Sequence, residues 1–213
     1  MLFVGDSITD AHRGRPVGRG ASETLGTGYV SFVHALLTAD HPELEINVLN
    51  TGVCKDSVRH LKSRWKQDVL DLKPDWLSIM IGINDTWRQC DDPAEQAVRI
   101  LPEEYDATLR ELIAAARVRQ LVLMTPFFVE LDRSDATRRR VDECGAIVRA
   151  IAREVGAILV DTQAAFDKAL QVIPREAISE DRVHPGGSAS SGPVGHMILA
   201  LAFLDAVGLP CRS

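Results

Sequence analysis

The sequence holds no C-x-x-C pair, no apolar run long enough to span a membrane and no excess of positive charge. Its four cysteines, Cys54, Cys90, Cys144 and Cys211, are scattered. That spacing argues against a disulfide framework or a zinc site and fits a reducing compartment. No stretch approaches the roughly 18 apolar residues that a membrane helix needs. Lysine and arginine total 24 against 30 aspartates and glutamates, a formal net charge of −6. This balance disfavours nucleic acid or an anionic membrane as the main partner. The chain does not open on a basic segment, an apolar stretch and a small-residue cleavage site, so a cytoplasmic protein is expected.

What is present has the profile of an ordinary globular domain, with 46% apolar and 25% charged residues in a chain of 213. That length suits one domain with a sizeable core, residues 1–213. Short β-rich runs are expected at 2–4, 45–49, 76–81, 121–125 and 157–160. Between them, apolar residues recur at helical spacing. Examples are Tyr29, Val30, Val33, Leu36 and Leu37, then Val58, Leu61, Trp65 and Val69, and later Val141, Cys144, Val148, Ile151 and Val155. A final apolar helix is expected over 197–207. Strands alternating with helices predict an α/β fold, a three-layer α/β/α arrangement around a five-stranded parallel sheet of flavodoxin-like order 2-1-3-4-5. Residues 186–192, GGSASSG, interrupt the pattern and read as a mobile inserted loop between His184 and the last helix. Such a loop is tolerated by the fold but is expected to weaken the hold on His184.

In such a sheet, ligands bind beyond the carboxyl ends of the strands where strand order reverses. Strand 1 ends on Gly5-Asp6-Ser7, strand 2 on Asn50-Thr51-Gly52, and strand 3 on Gly82-Ile83-Asn84-Asp85. A serine nucleophile needs a base, and the base an orienting group. His184, in Asp181-Arg182-Val183-His184-Pro185, is the best base, with Asp181 three residues earlier to hold its Nδ1–H. The Ser7 and Gly52 amides and the Asn84 side chain are the available donors for an oxyanion. Trp87, Phe127 and Phe128 are candidates to line the substrate pocket. Asp85 reads as a turn residue, the run Arg138-Arg139-Arg140 as a solvated helix face, and His196 as structural. Asp6 and Asp10 do not fit a metal-dependent phosphatase, because Ile8 stands where a second carboxylate is wanted.

The blocks GDSITD, NTGV, GIND and DRVHP, in that order, resemble those of the SGNH (GDSL) hydrolase superfamily. The resemblance implies a Ser7–His184–Asp181 triad, an oxyanion hole of Ser7, Gly52 and Asn84, and no metal or cofactor. LGTGYV, KPDWLSIMIGINDTWRQ, LMTPFF, VDTQAAF and GHMILALAFL further resemble the intracellular acetyl-xylo-oligosaccharide (acetylxylan) esterases of that superfamily. This narrower likeness implies deacetylation of a small acylated carbohydrate by a homo-oligomer. Glu180 stands where such relatives tend to carry a tryptophan. Two other functions fit the same blocks. One is a lysophospholipase or thioesterase acting on longer acyl chains. The other is a non-catalytic carbohydrate-binding or scaffold protein with a disabled site.

Overall fold

The computed structural model describes residues 1–17, 22–87, 99–186 and 193–210. Five parallel strands form one sheet in the order β2-β1-β3-β4-β5. They are β1 (Leu2–Gly5), β2 (Leu49–Asn50), β3 (Trp76–Met80), β4 (Gln120–Met124) and β5 (Ile158–Val160). This is the predicted flavodoxin-like α/β/α order. Beside the strands run α1 (Ser7–Asp10), α2 (Ser22–Leu25), α3 (Tyr29–Asp40), α4 (Val58–Trp65) and α5 (Pro102–Ala115). After them come α6 (Ala136–Val155), α7 (Thr162–Ala169), α8 (Arg175–Ile178) and α9 (Pro193–Ala206).

Because helices cover both faces, the interior strand β1 is apolar at successive positions rather than at alternate ones. Phe3 packs with Tyr29, Val33, Phe166, Leu199 and Phe203, the side of α3, α7 and α9. Its neighbours Leu2 and Val4 point the other way, to Leu61, Trp65, Leu109, Leu112 and Val148 on α4, α5 and α6. On α6 the expected stripe is buried at Val141, Cys144, Val148 and Ile151, while Val155 at the helix end is exposed.

Strand 2 is shorter and later than the expected 45–49. A one-turn helix at Pro42–Leu44 ends on Glu45 at φ +46°, so extended pairing begins only at Leu49. The arginine run is a solvated face only at Arg139, which is exposed. Arg138 is buried, with its guanidinium bonded to Asp142 at 3.0 Å and to both oxygens of Asp167 at 2.9 and 2.7 Å. Of the expected mobile loop at 186–192, only Gly186 lies within the described residues.

Candidate active site

The turn from β1 into α1 explains why the opening strand stops on glycine. A Cβ on Gly5 would lie 2.3 Å from the Met80 carbonyl oxygen and 2.5 Å from Thr9 Oγ1, so no larger residue fits. Asp6 then caps the short helix, its Oδ1 accepting the Ile8 N–H at 3.0 Å. Ser7 follows as the first helical residue, half-buried, and its Oγ is 3.0 Å from His184 Nε2. Its own N–H finds no acceptor among the described residues.

One carboxylate organises the opposite wall. Asp181 Oδ2 lies 2.6 Å from His184 Nδ1. Its Oδ1 accepts the N–H groups of Val183 at 2.9 Å and His184 at 2.7 Å, and the Ser179 hydroxyl at 3.1 Å. Burial alone would raise this carboxyl, but the His184 side chain and the two backbone donors more than offset it. Asp181 is held well below the usual carboxylate range and stays ionised. The turn is anchored on both sides, the Val129 N–H donating to the Arg182 carbonyl at 2.8 Å and the Gly186 N–H to that of Ile178 at 2.7 Å. Gly195 of α9 lies directly against Pro185. The hold on His184 therefore runs through these contacts, not only through the residues after Gly186 as expected.

The loop after β2 can be accounted for donor by donor, because a buried amide without a partner is costly. Thr51 N–H donates to Phe3 O at 2.9 Å, and Val53 N–H to Gly5 O at 3.0 Å. Cys54 N–H reaches Asp10 Oδ2 at 3.0 Å and Val58 N–H reaches Asp85 Oδ1 at 2.9 Å. Asp56 N–H closes a turn onto Val53 O, and Ser57 N–H points to His60 Nδ1. Gly52 N–H donates to Asn50 Oδ1 at 2.8 Å. Its α-carbon packs on α1 so closely that a Cβ would lie 2.4 Å from Asp10 N. The expectation that Gly52 faces an oxyanion is therefore corrected: its amide is already used. Among these residues the unpartnered amide is that of Lys55, at φ +73° in the third position of the turn. Asn84 is tied to the same loop, one Nδ2 hydrogen bonding Asp56 O at 2.9 Å and the other left over. Arg64 braces the loop from α4, contacting Asp56 Oδ2 at 2.5 Å, Thr51 O at 2.7 Å and Gly5 O at 3.0 Å.

A model of the GDSL-like lipase/acylhydrolase family matches residues 3–189. The chain belongs to this family. It is 49% identical over 210 residues to an acetylxylan esterase of Geobacillus stearothermophilus, spanning 98% of this chain and 93% of that protein. A crystal structure of an acetylxylan esterase from the same organism shares the fold with a TM-score of 0.92 at 48% identity, covering 100% of this chain and 95% of that one. An alpha/beta hydrolase from a metagenome of Lake Arreo, Spain, gives 0.93 at 42% identity, with the same coverage. Three further structures of the Geobacillus esterase are catalytic mutants, with alanine replacing a serine, an aspartate and a histidine. Those three residue types are the ones that meet here.

In this GDSL-family chain the candidate pocket residues separate. Trp87 stands beside the triad, its ring perpendicular to that of His184 with centroids 6.1 Å apart. Phe128 is nearly buried under the Arg182 guanidinium, 5.3 Å from its ring centre, and is one of the residues lining a small cleft. Phe127 is corrected: it is fully buried and stacked on Phe166 at 4.2 Å, away from any cleft. His196 is structural as expected. Its Nδ1 accepts the Tyr29 N–H at 3.2 Å, and burial with the neighbouring charge of His184 pulls it down to about 4, so it is neutral near pH 7.

Several supporting residues give no sign of their role in the sequence. Asp10 receives the Cys54 amide and the Arg15 guanidinium, and Arg13 Nε bonds Gly52 O at 2.6 Å. Asp85 is more than a turn residue. It is fully buried, Oδ1 holds Val58, and Oδ2 has no partner among the described residues. Burial pushes the Asp85 and Asp6 carboxyls each up to about 7, and at Asp85 the charge of Asp6 adds to the effect. The acidic residues at the family's block ends thus serve the loops rather than the reaction.

Proposed function

We propose that this protein is a serine esterase that removes acetyl groups from xylo-oligosaccharides. The observation that carries the reading is the unbroken chain from Ser7 Oγ to His184 Nε2 to Asp181, with links of 3.0 and 2.6 Å. Ser7 attacks the ester carbonyl while His184 takes its proton. The tetrahedral adduct collapses as His184 returns that proton to the leaving alcohol. Water then attacks the acetyl-enzyme with His184 again as base, and the adduct expels Ser7 Oγ, which regains its proton from His184 as acetate is released. Asp181, ionised throughout, fixes the imidazole and balances its charge.

The developing oxyanion is bound by the amides of Ser7 and Lys55 and by the free Nδ2 hydrogen of Asn84. Support for Lys55 over Gly52 is the donor account of the loop. The substrate class draws on the acetylxylan esterase to which the chain is 49% identical. No helix among the described residues is long and apolar enough to cross a membrane. Action inside the cell accords with the unpaired thiols of Cys54 and Cys144. A homo-oligomer accords with the exposed apolar strip of Val172 and Leu201 between α7 and α9.

Acetate release from acetylated xylo-oligosaccharides, beside aryl esters of graded chain length, tests the reading. Turnover of the sugar acetates with a steep loss beyond short acyl chains is expected. Preference for long chains would favour a lysophospholipase or thioesterase. Failure of Ser7 to take an organophosphorus label would favour a non-catalytic protein.

A further inference from the structure

The small cleft lined by Phe128 adjoins the triad on the side of Asp181 and is about 200 Å³ in volume. Its walls are Trp87 and Phe128, the start of α6 at Asp135, Ala136 and Thr137, and Arg182. Two aromatic side chains thus share the cleft with a carboxylate, a hydroxyl and a guanidinium. Arg182 is held in place there, its Nη1 3.4 Å from both Asp135 Oδ2 and Glu130 Oε2.

The chemistry of ester cleavage assigns sides to this site. The acyl group goes with the oxyanion donors of the 51–58 loop. The leaving alcohol must reach the Nε2 proton of His184, so it lies over His184 and the ring that abuts it. That ring is Trp87, which both touches His184 edge-on and forms a wall of the cleft. An alcohol larger than methanol therefore extends across Trp87 toward Asp135 and Arg182. A sugar matches such a wall, with an apolar C–H face for the indole and hydroxyls for charged partners. An alkyl chain does not, since it would strip water from Asp135 and Arg182 and return no hydrogen bond.

We propose that the cleft formed by Trp87, Thr137, Asp135 and Arg182 is the subsite for the uncharged sugar unit that bears the scissile ester. Trp87 is its stacking floor, and the Asp135–Arg182 pair bonds its hydroxyls. The inference rests on the serine-esterase reading and adds to it the side from which the carbohydrate enters.

Calorimetric titration of unacetylated xylotriose into Ser7→Ala protein provides the test, because it needs no turnover. Two double variants accompany it. Ser7→Ala with Trp87→Ala removes the floor. Ser7→Ala with Ala136→Trp plugs the cleft from an exposed position in the first turn of α6, where no buried contact is lost. Thermal unfolding establishes which variants fold, and the exposed plug remains informative if the Trp87 variant does not. The single variant is expected to bind, and each double variant to lose at least tenfold in affinity. Equal binding by all three, or none by the single variant, overturns the subsite while the esterase reading stands on acetate release. Failure of the unmutated protein to release acetate from acetylated xylo-oligosaccharides overturns the reading beneath it.

Discussion

The turn from Ser179 to His184 and the loop from Thr51 to Val58 face each other across Ser7 and are stabilised in different ways. In the first, a single carboxylate, Asp181, accepts four hydrogen bonds and positions the base. In the second, no residue dominates. β1, Asp10, Arg64 and the Asn84–Asp85 pair each fix part of it. The first loop acts through side chains, whose identity is the message. In the proposed mechanism the second acts largely through a backbone amide, which any residue except proline supplies. Conformation, not residue type, decides which amide is free.

Ser7→Ala should have the largest effect on the side-chain half of this contrast. Acetate release should fall to background with the fold intact, because Ser7 is half-buried at a strand end and caps nothing. More than a few per cent of residual turnover in pure protein would contradict the triad. Asn84→Ala comes next, lowering kcat by roughly 10²–10³, the usual loss for one oxyanion donor. A change confined to KM would mean that Asn84 binds ground-state substrate instead.

Gly52→Ala tests the backbone half through stability. A Cβ there meets α1 backbone that cannot yield, so a loss of about 1–3 kcal/mol in urea unfolding is expected. A neutral result would show that the loop is looser than its bonds imply. Lys55→Gly should act in the opposite direction. Lysine at φ +73° costs about 1–2 kcal/mol that glycine avoids, and glycine's greater freedom in the unfolded chain returns about half of it. A small rise in melting temperature is predicted, and a fall would refute the strained turn.

The buried acids allow a prediction with a defined sign. Asp85 ionises near 3.8 when unfolded and only near 7 when folded. Between those values the folded state keeps a proton that the unfolded state has lost, so stability falls as pH rises from about 4 to 7 and levels off above. Asp85→Asn keeps an acceptor for Val58 and removes this contribution. Urea midpoints of the variant should therefore decline less between pH 4.5 and 7.5 than those of the unmodified protein. Parallel slopes would contradict it. The smallest effect is expected from removing residues 187–192. The contacts of Val183, Pro185 and Gly195 should keep kcat close to that of the full chain.

The same contrast explains what is legible in the sequence. The strand ends, the triad and Asn84 can be read there because each needs a particular side chain in a particular block. Lys55 cannot, since nothing in its identity announces a positive φ, and Gly52, three residues earlier, is the more suggestive residue. The Gly52 amide is consumed by Asn50, a pairing visible only once the loop is folded. Arg138 departs from expectation for a related reason. Its partners Asp142 and Asp167 come from the next helical turn and from α7, and together they make a buried arginine tolerable. Phe127 and Phe128 are adjacent and chemically alike, and only the fold decides that one faces Phe166 and the other Arg182.

The sharpest measurement exchanges single backbone amides for esters, by incorporating an α-hydroxy acid at position 55 or at position 52. Each exchange deletes one N–H and leaves the main-chain path unchanged. At position 55 a fall in kcat of roughly 10²-fold is expected, with little change in stability. At position 52 a stability loss of about 0.5–1.5 kcal/mol is expected, from the broken bond to Asn50, with kcat largely retained. A large loss of kcat at 52 with none at 55 would contradict the assignment of Lys55 as the loop's oxyanion donor.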